Sequence, residues 1–85
     1  MKKLITYIDE LKAKFGSDNK AASAIGVSRE VIAMIRKRKQ MSDETACKIA
    51  KGLGIESDEI LLCAAIARSR GETRKNWVKI TRKYL

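Results

Sequence analysis

The sequence contains no proline and no histidine, and only five glycines. Few residues can therefore interrupt a helix, and we expect an all-α fold. The lack of histidine excludes histidine-based metal sites and histidine as a general base. Paired carboxylates in an apolar setting and a glycine-rich phosphate loop are also missing. We therefore expect no enzymatic activity, and no cofactor, metal ion or small-molecule substrate.

Long apolar runs are missing too, and no stretch approaches the roughly 20 residues that cross a bilayer. Asp9 and Glu10 interrupt the amino-terminal stretch, so we do not expect this stretch to be a signal peptide. Cys47 and Cys63 are the only cysteines, and each lies in an apolar helical pattern. We expect both to be buried free thiols in a reducing compartment. These features predict a cytoplasmic protein with no membrane association.

Basic residues are in excess. Nineteen Lys and Arg oppose ten Asp and Glu, giving a net charge of +9 over 85 residues. A chain of this length should form one domain, and the charge favours a polyanionic partner. The alternative is a solvated basic face with no partner. Positive charge is concentrated in residues 36–39 and in residues 68–83, where Glu72 is the single acid.

Residues 18–39 contain the most informative pattern. Apolar residues recur at helical spacing in two short segments: Ala21, Ala22, Ile25, Val31, Ile32 and Ile35. Gly26 suits the left-handed corner between the segments, and Ser28 suits the N-cap of the second one. The pattern predicts a helix-turn-helix, a motif whose second helix enters the DNA major groove.

Four further helices are predicted around this pair. Leu4, Ile8, Leu11 and Phe15 form an apolar stripe over residues 2–15. Ser17 and Asp18 are candidate caps for the second helix. The third helix should end near Arg38, and Ser42 should cap the fourth.

The carboxy-terminal third of the chain predicts the last two helices. Ile55 should return to the core after the fourth helix. Residues 60–67 are apolar almost all round, so the fifth helix should be buried on more than one side. Thr73 is a candidate cap for a last, basic helix.

Residues 18–37 resemble the helix-turn-helix of the phage repressor and Cro superfamily, also called the lambda-repressor-like or XRE family. The resemblance covers residues 4–66. It rests on Ala22, Gly26, Val27, Ser28, Ile32 and Ile35, and on the sequence KIAKGLGI in residues 48–55. It implies a five-helix lambda-repressor-like domain in residues 1–71, with residues 72–85 as an added basic helix. The implied function is sequence-specific transcription regulation by a small phage or prophage repressor-type protein.

The predicted DNA contacts follow from the position of the third helix. The candidates for base contacts are Ser28, Arg29, Glu30 and Ala33, and those for phosphate contacts are Asn19, Lys20, Lys37, Arg38 and Lys39. Arg29 is the best candidate to read guanine. For Glu30 the alternative is a favourable contact with the helix dipole and no base. The family often has Gln near Asn19, and Gly or Asn near Lys39, so the chain departs from the pattern there.

The family usually binds inverted repeats as homodimers, so double-stranded DNA and a second copy are the expected partners. Interface candidates are Leu61, Leu62, Ala65, Ile66, Trp77 and Tyr84, although Trp77 could instead pack on its own core. Two other functions stay open. One is a protein-interaction module, such as an antitoxin-like protein or a partner of an antirepressor, that uses the fifth and last helices. The other is a nonspecific nucleic-acid binder that uses residues 68–83.

Overall fold

The computed structural model describes residues 2–84, without the side chain of Tyr84. These residues are all-helical, with no β-strand among them, which confirms the predicted all-α fold. The helices are α1 (Leu4–Phe15), α2 (Asp18–Ile25), α3 (Arg29–Arg38), α4 (Asp43–Leu53), α5 (Asp58–Arg68) and α6 (Gly71–Tyr84).

Serine caps set the start of three helices. The hydroxyls of Ser17, Ser28 and Ser42 accept a backbone N–H three residues ahead, at 3.1, 3.4 and 3.2 Å. Each hydroxyl satisfies a donor that has no partner within the helix. The predicted starts of α2, α3 and α4 are confirmed, with Ser17 rather than Asp18 as the cap of α2.

A three-residue turn joins α2 to α3. Gly26 takes the left-handed conformation, with φ 79°, and the N–H of Val27 returns to the carbonyl of Ala22 at 3.0 Å. This arrangement closes α2 and lets α3 begin after only three intervening residues. The corner predicted at Gly26 is confirmed.

The core lies between α1 and the four helices that follow it. Its largest fully buried side chains are Tyr7, Ile8, Leu11, Ile32, Ile49 and Ile60. The hydroxyl of Tyr7 donates to Oε1 of Glu59 at 2.9 Å, which satisfies the one polar atom of that side chain. Helix α1 packs against α2, α3, α4 and α5, whereas α6 packs against α5 alone. Helix α6 is therefore attached to the outside of the five-helix unit.

Two predicted core residues are exposed instead. Ile55 is 42% exposed because Gly54 turns the chain away after α4, with φ 70°. Cys47 is exposed because the buried face of α4 is formed by Ala46, Ile49 and Ala50. Cys63 is buried, as predicted, and its thiol donates to the Lys2 carbonyl at 3.3 Å. Burial raises the pKa of Cys63 and keeps it protonated.

The last helix also starts earlier than predicted. It begins at Gly71, which has φ 61°, so Thr73 lies inside the first turn rather than before it. The left-handed conformation is inexpensive for glycine, and it turns the chain from α5 into α6.

Replacing Gly52 by Ala should lower the free energy of unfolding by about 1–2 kcal/mol. A Cβ at Gly52 would lie 2.5 Å from Cγ2 of Ile25 and 3.4 Å from Cδ2 of Leu11. Overpacking of this kind costs about 1–3 kcal/mol, which the better helix propensity of Ala only partly offsets. Urea denaturation measures the change, and the exposed Lys51→Ala variant is the control. Equal stability of Gly52→Ala and wild type would show that α2 and α4 can separate without cost.

Candidate nucleic-acid interface

Helix α3 has one buried face and one exposed face. Ile32 and Ile35 point inward and are 1% and 2% exposed. The four candidates for base contact all lie together on the exposed side of its amino-terminal end: Ser28, Arg29, Glu30 and Ala33. Ala33 lies one turn beyond Arg29 and Glu30, because residues three and four apart fall on the same face of a helix, and Ser28 caps the same end.

The candidates for phosphate contact lie at two ends of this helix pair. Asn19 and Lys20 are exposed in the first turn of α2, and Lys37, Arg38 and Lys39 are exposed where α3 ends. Four of these candidates are cations, and none of the four forms an ion pair among residues 2–84: Lys20, Lys37, Arg38 and Lys39. Their charge is therefore not neutralised within the described chain.

Lys39 ends α3 in an unusual backbone conformation. It has φ 57°, and among the described residues it is the one non-glycine residue with positive φ. Its N–H donates to the carbonyl of Ile35 at 2.7 Å. The left-handed conformation costs a residue with a Cβ about 1–2 kcal/mol. The turn that favours Gly or Asn is thus made here by a lysine, which keeps a cation at this point.

Arg36 ties α3 to the two helices that precede it. Its Nε and Nη2 donate to the two carboxylate oxygens of Asp18 at 2.9 and 3.0 Å, and its Nη1 donates to Oδ1 of Asp9 at 2.8 Å. The pair with Asp18 is bidentate, the geometry that orients a guanidinium most strictly. The contact fixes α3 on α1 and α2 while its other face stays exposed.

Sequence reasoning missed this contact. The sequence predicts Asp18 only as a helix cap, but the cap is Ser17. The usable signal was position: Arg36 follows the buried Ile35, and Asp9 follows the buried Ile8, so both stand at the edge of an apolar stripe. A charge at such an edge often pairs across to a neighbouring helix, but the partner cannot be read from one sequence.

Replacing Asp18 by Asn should make the free energy of unfolding depend less on pH in the acidic range. The Arg36 guanidinium lowers the pKa of Asp18, so the carboxylate stabilises the fold above the ordinary aspartate range. That stabilisation is lost as the pH falls through the lowered pKa. We expect Asp18→Asn to be about 1 kcal/mol less stable than wild type at pH 7, and the difference to shrink toward pH 2.

Thermal unfolding between pH 2 and pH 7 measures this effect. Glu56→Gln is the control, because Glu56 is exposed in a loop and forms no ion pair within the described residues. A difference between wild type and Asp18→Asn that stays constant over this pH range would contradict the assignment.

An open groove of about 510 Å³ runs along the side of α3. Glu30, Met34 and Arg38 form one wall, and Thr45 of α4 and Arg68 of α5 lie opposite. Arg68 holds the loop after α3, since its Nη1 donates to the Met41 carbonyl at 2.9 Å and its Nη2 lies 2.7 Å from Oδ1 of Asp43. The groove adjoins the exposed end of α3 and leaves that end accessible.

The candidates for a dimer interface differ in exposure. Leu61, Leu62 and Ala65 are half-buried on α5, whereas Ile66 is 8% exposed and contributes mainly to the chain's own packing. Trp77 is half-buried on α6. The side chain of Tyr84 lies outside the described residues.

The described residues contain no group of three or more His, Cys, Asp or Glu side chains that could hold a metal ion. None of the helices in that part of the chain is both long and apolar enough to cross a membrane. Compared with family models, with curated proteins and with solved structures, the chain matches none significantly.

Proposed function

We propose that this protein is a sequence-specific DNA-binding transcription regulator of the phage repressor and Cro type. In this proposal α2 and α3 form the helix-turn-helix, within a lambda-repressor-like arrangement of α1 to α5, and α3 lies in the major groove. The observation that carries it is the exposed amino-terminal end of α3, where Arg29, Glu30 and Ala33 stand clear of the core. Side chains at this end of a recognition helix reach base edges.

The charge distribution supports the same function. Lys20 is exposed in the first turn of α2, and Lys37, Arg38 and Lys39 are exposed at the carboxy-terminal end of α3. Phosphate contacts at both edges of a helix fix its register, while the side chains between them read the bases. Arg29 is suited to guanine O6 and N7, Glu30 to a cytosine amino group, and Ala33 to a thymine methyl.

Binding as a homodimer to an inverted repeat belongs to this proposal. The half-buried Leu61, Leu62 and Ala65 on α5 and Trp77 on α6 are apolar side chains with area left to bury. Two copies related by a two-fold axis would place their α3 helices about 34 Å apart, one turn of DNA.

In vitro selection from a duplex library with 30 random base pairs tests the proposal. We expect enrichment of an inverted repeat with half-sites about one turn apart, and protection of both halves in a footprint. DNA that flanks the protein's own gene is a second probe, because small phage regulators commonly bind close to their gene. Binding to the library without any enriched sequence would contradict sequence-specific recognition.

A protein-interaction module is the second candidate. Ile80 is 43% exposed on α6, and half-buried apolar side chains lie on both α5 and α6. Exposed apolar area of this kind can bind a protein partner. This function predicts partner binding that Arg29→Ala leaves unchanged, whereas the same change should weaken specific DNA binding. Sedimentation of the free protein shows whether a second copy already covers this area.

A further inference from the structure

The start of α6 lies beside the end of α3. Nε2 of Gln40 donates to the Ala67 carbonyl at 3.3 Å, and Nη1 of Arg68 donates to the Met41 carbonyl at 2.9 Å. These bonds join the loop after α3 to the last turn of α5. Helix α6 begins at Gly71, three residues after α5 ends. The first turn of α6 is therefore held near the carboxy-terminal end of α3.

A groove of about 600 Å³ spans the gap between the two helices. Lys39 at the end of α3 and Arg74 of α6 line it, together with Lys2 and Lys3. Its floor is apolar and mostly buried, and is formed by Leu4, Ile5, Cys63 and Ile66. No carboxylate is among the residues that line it. The groove is thus positively charged along its rim.

The basic surface continues from this groove along α6. Arg74 also lies beside Lys75, Val78, Lys79 and Arg82, on a surface that α6 residues alone line. Because Arg74 lines both surfaces, the basic groove that Lys39 lines and the basic face of α6 adjoin at this residue. Residues 74 to 82 cover about 12 Å of helix, at 1.5 Å per residue.

Most of these cations have no acidic neighbour. Lys2 pairs with Glu10 at 2.8 Å, and Lys75 lies 4.0 Å from Glu72. Five others form no ion pair within residues 2–84, and together they are called the basic track: Lys3, Lys39, Arg74, Lys79 and Arg82. Like charges close together repel one another, and a polyanion laid along them removes that repulsion.

We propose that the basic track binds the phosphate backbone of the same DNA duplex, beyond the segment that α3 contacts. The inference rests on the proposed function, since Lys39 belongs both to the track and to the predicted phosphate contacts of α3. An acidic protein would fit less well, because the apolar side chains beside the track offer little exposed area: Leu4, Cys63 and Ile66 are buried, and Ile5 and Val78 are half-buried. Duplex DNA presents one phosphate per about 3.4 Å of each strand and needs no apolar floor.

The test compares two double variants that carry the same net charge. Arg74→Gln with Lys79→Gln removes two cations of the track, and Lys12→Gln with Lys51→Gln removes two exposed cations from α1 and α4. Binding of each to a 40-base-pair duplex of random sequence is measured between 50 and 200 mM salt. Circular dichroism checks that both variants keep their helices.

The slope of log K against log[salt] is negative. We expect its magnitude to be about 1–2 smaller in the track variant, because each phosphate contact contributes about 0.9 to it. The control variant should keep the wild-type slope. Equal slopes for the two variants would overturn the inference, and a wild type that still selects an operator would then leave the proposed function standing. A less steep slope for the track variant alone would support phosphate binding by the basic track. If wild type also showed no sequence preference, the proposed function would be contradicted.

Discussion

Replacing Arg29 by Ala should weaken binding to a selected duplex by about 1–3 kcal/mol and relax the preference at one base pair. Arg29 is the first residue of α3 and is exposed, and it forms no ion pair within residues 2–84. Its guanidinium can therefore make two hydrogen bonds to a guanine without breaking a contact in the protein. Affinities for the selected site, and for sites changed at single positions, measure both effects.

Lys12→Ala is the matched control for Arg29→Ala. It also removes one exposed cation, but from α1, which is not part of the proposed interface. Loss of general attraction to DNA should affect both variants alike, and loss of base recognition should affect Arg29→Ala alone. If affinity and sequence preference are the same in the two variants, Arg29 does not read a base.

The six helices and the starts of α2, α3 and α4 could be predicted because their signals are local, whereas the start of α6 at Gly71 was not predicted. Ser17, Ser28 and Ser42 cap helices, and Gly26 forms a corner, through contacts that span no more than five residues. The exposed end of α3 follows in the same way. Once Ile32 and Ile35 are assigned to the core, helical periodicity places Arg29 and Ala33 outside it.

The contacts between helices could not be predicted, because they depend on where distant segments meet. Asp18 and Arg36 are 18 residues apart, and Arg68 and Met41 are 27 apart. Ile55 and Cys47 show a second limit. Cys47 lies within the apolar pattern of α4, but its position around the helix places it outside the buried face. Ile55 follows the end of α4, and the turn at Gly54 leaves its side chain exposed.

The basic residues at the end of α3 divide between two tasks. Arg36 is directed toward α1 and α2, where its three hydrogen bonds are made inside the chain. Lys37, Arg38 and Lys39 are exposed and form no ion pair within the described part of the chain. A run of four cations in the sequence is therefore one structural residue followed by three that can meet a polyanion. This division makes Arg36 a positioning residue for α3.

Replacing Arg36 by Ala should lower the free energy of unfolding by about 1.5–3 kcal/mol, the range for hydrogen bonds to charged groups. Most of the loss should come from Asp18, whose side chain is 32% exposed. Asp9 is 61% exposed, so solvent screening makes its contact weak. Denaturation of the single variants and of the double variant with Asp18→Ala measures the coupling between Arg36 and Asp18. We expect a coupling energy of about 1–2 kcal/mol. Additive effects of the two single substitutions would contradict a stabilising contact between Arg36 and Asp18.

The same variant should also separate positioning from phosphate binding. If Arg36 only orients α3, then Arg36→Ala should lower affinity for a selected site more than affinity for random DNA, because only base recognition depends on the angle of α3. The salt slope should stay unchanged, since no phosphate contact is removed. Lys37→Ala is the comparison, because it removes a neighbouring exposed cation. It should lower affinity for both duplexes and reduce the magnitude of the salt slope by about 0.9. A lower slope for Arg36→Ala would instead mean that the guanidinium leaves Asp18 to meet the backbone of the DNA.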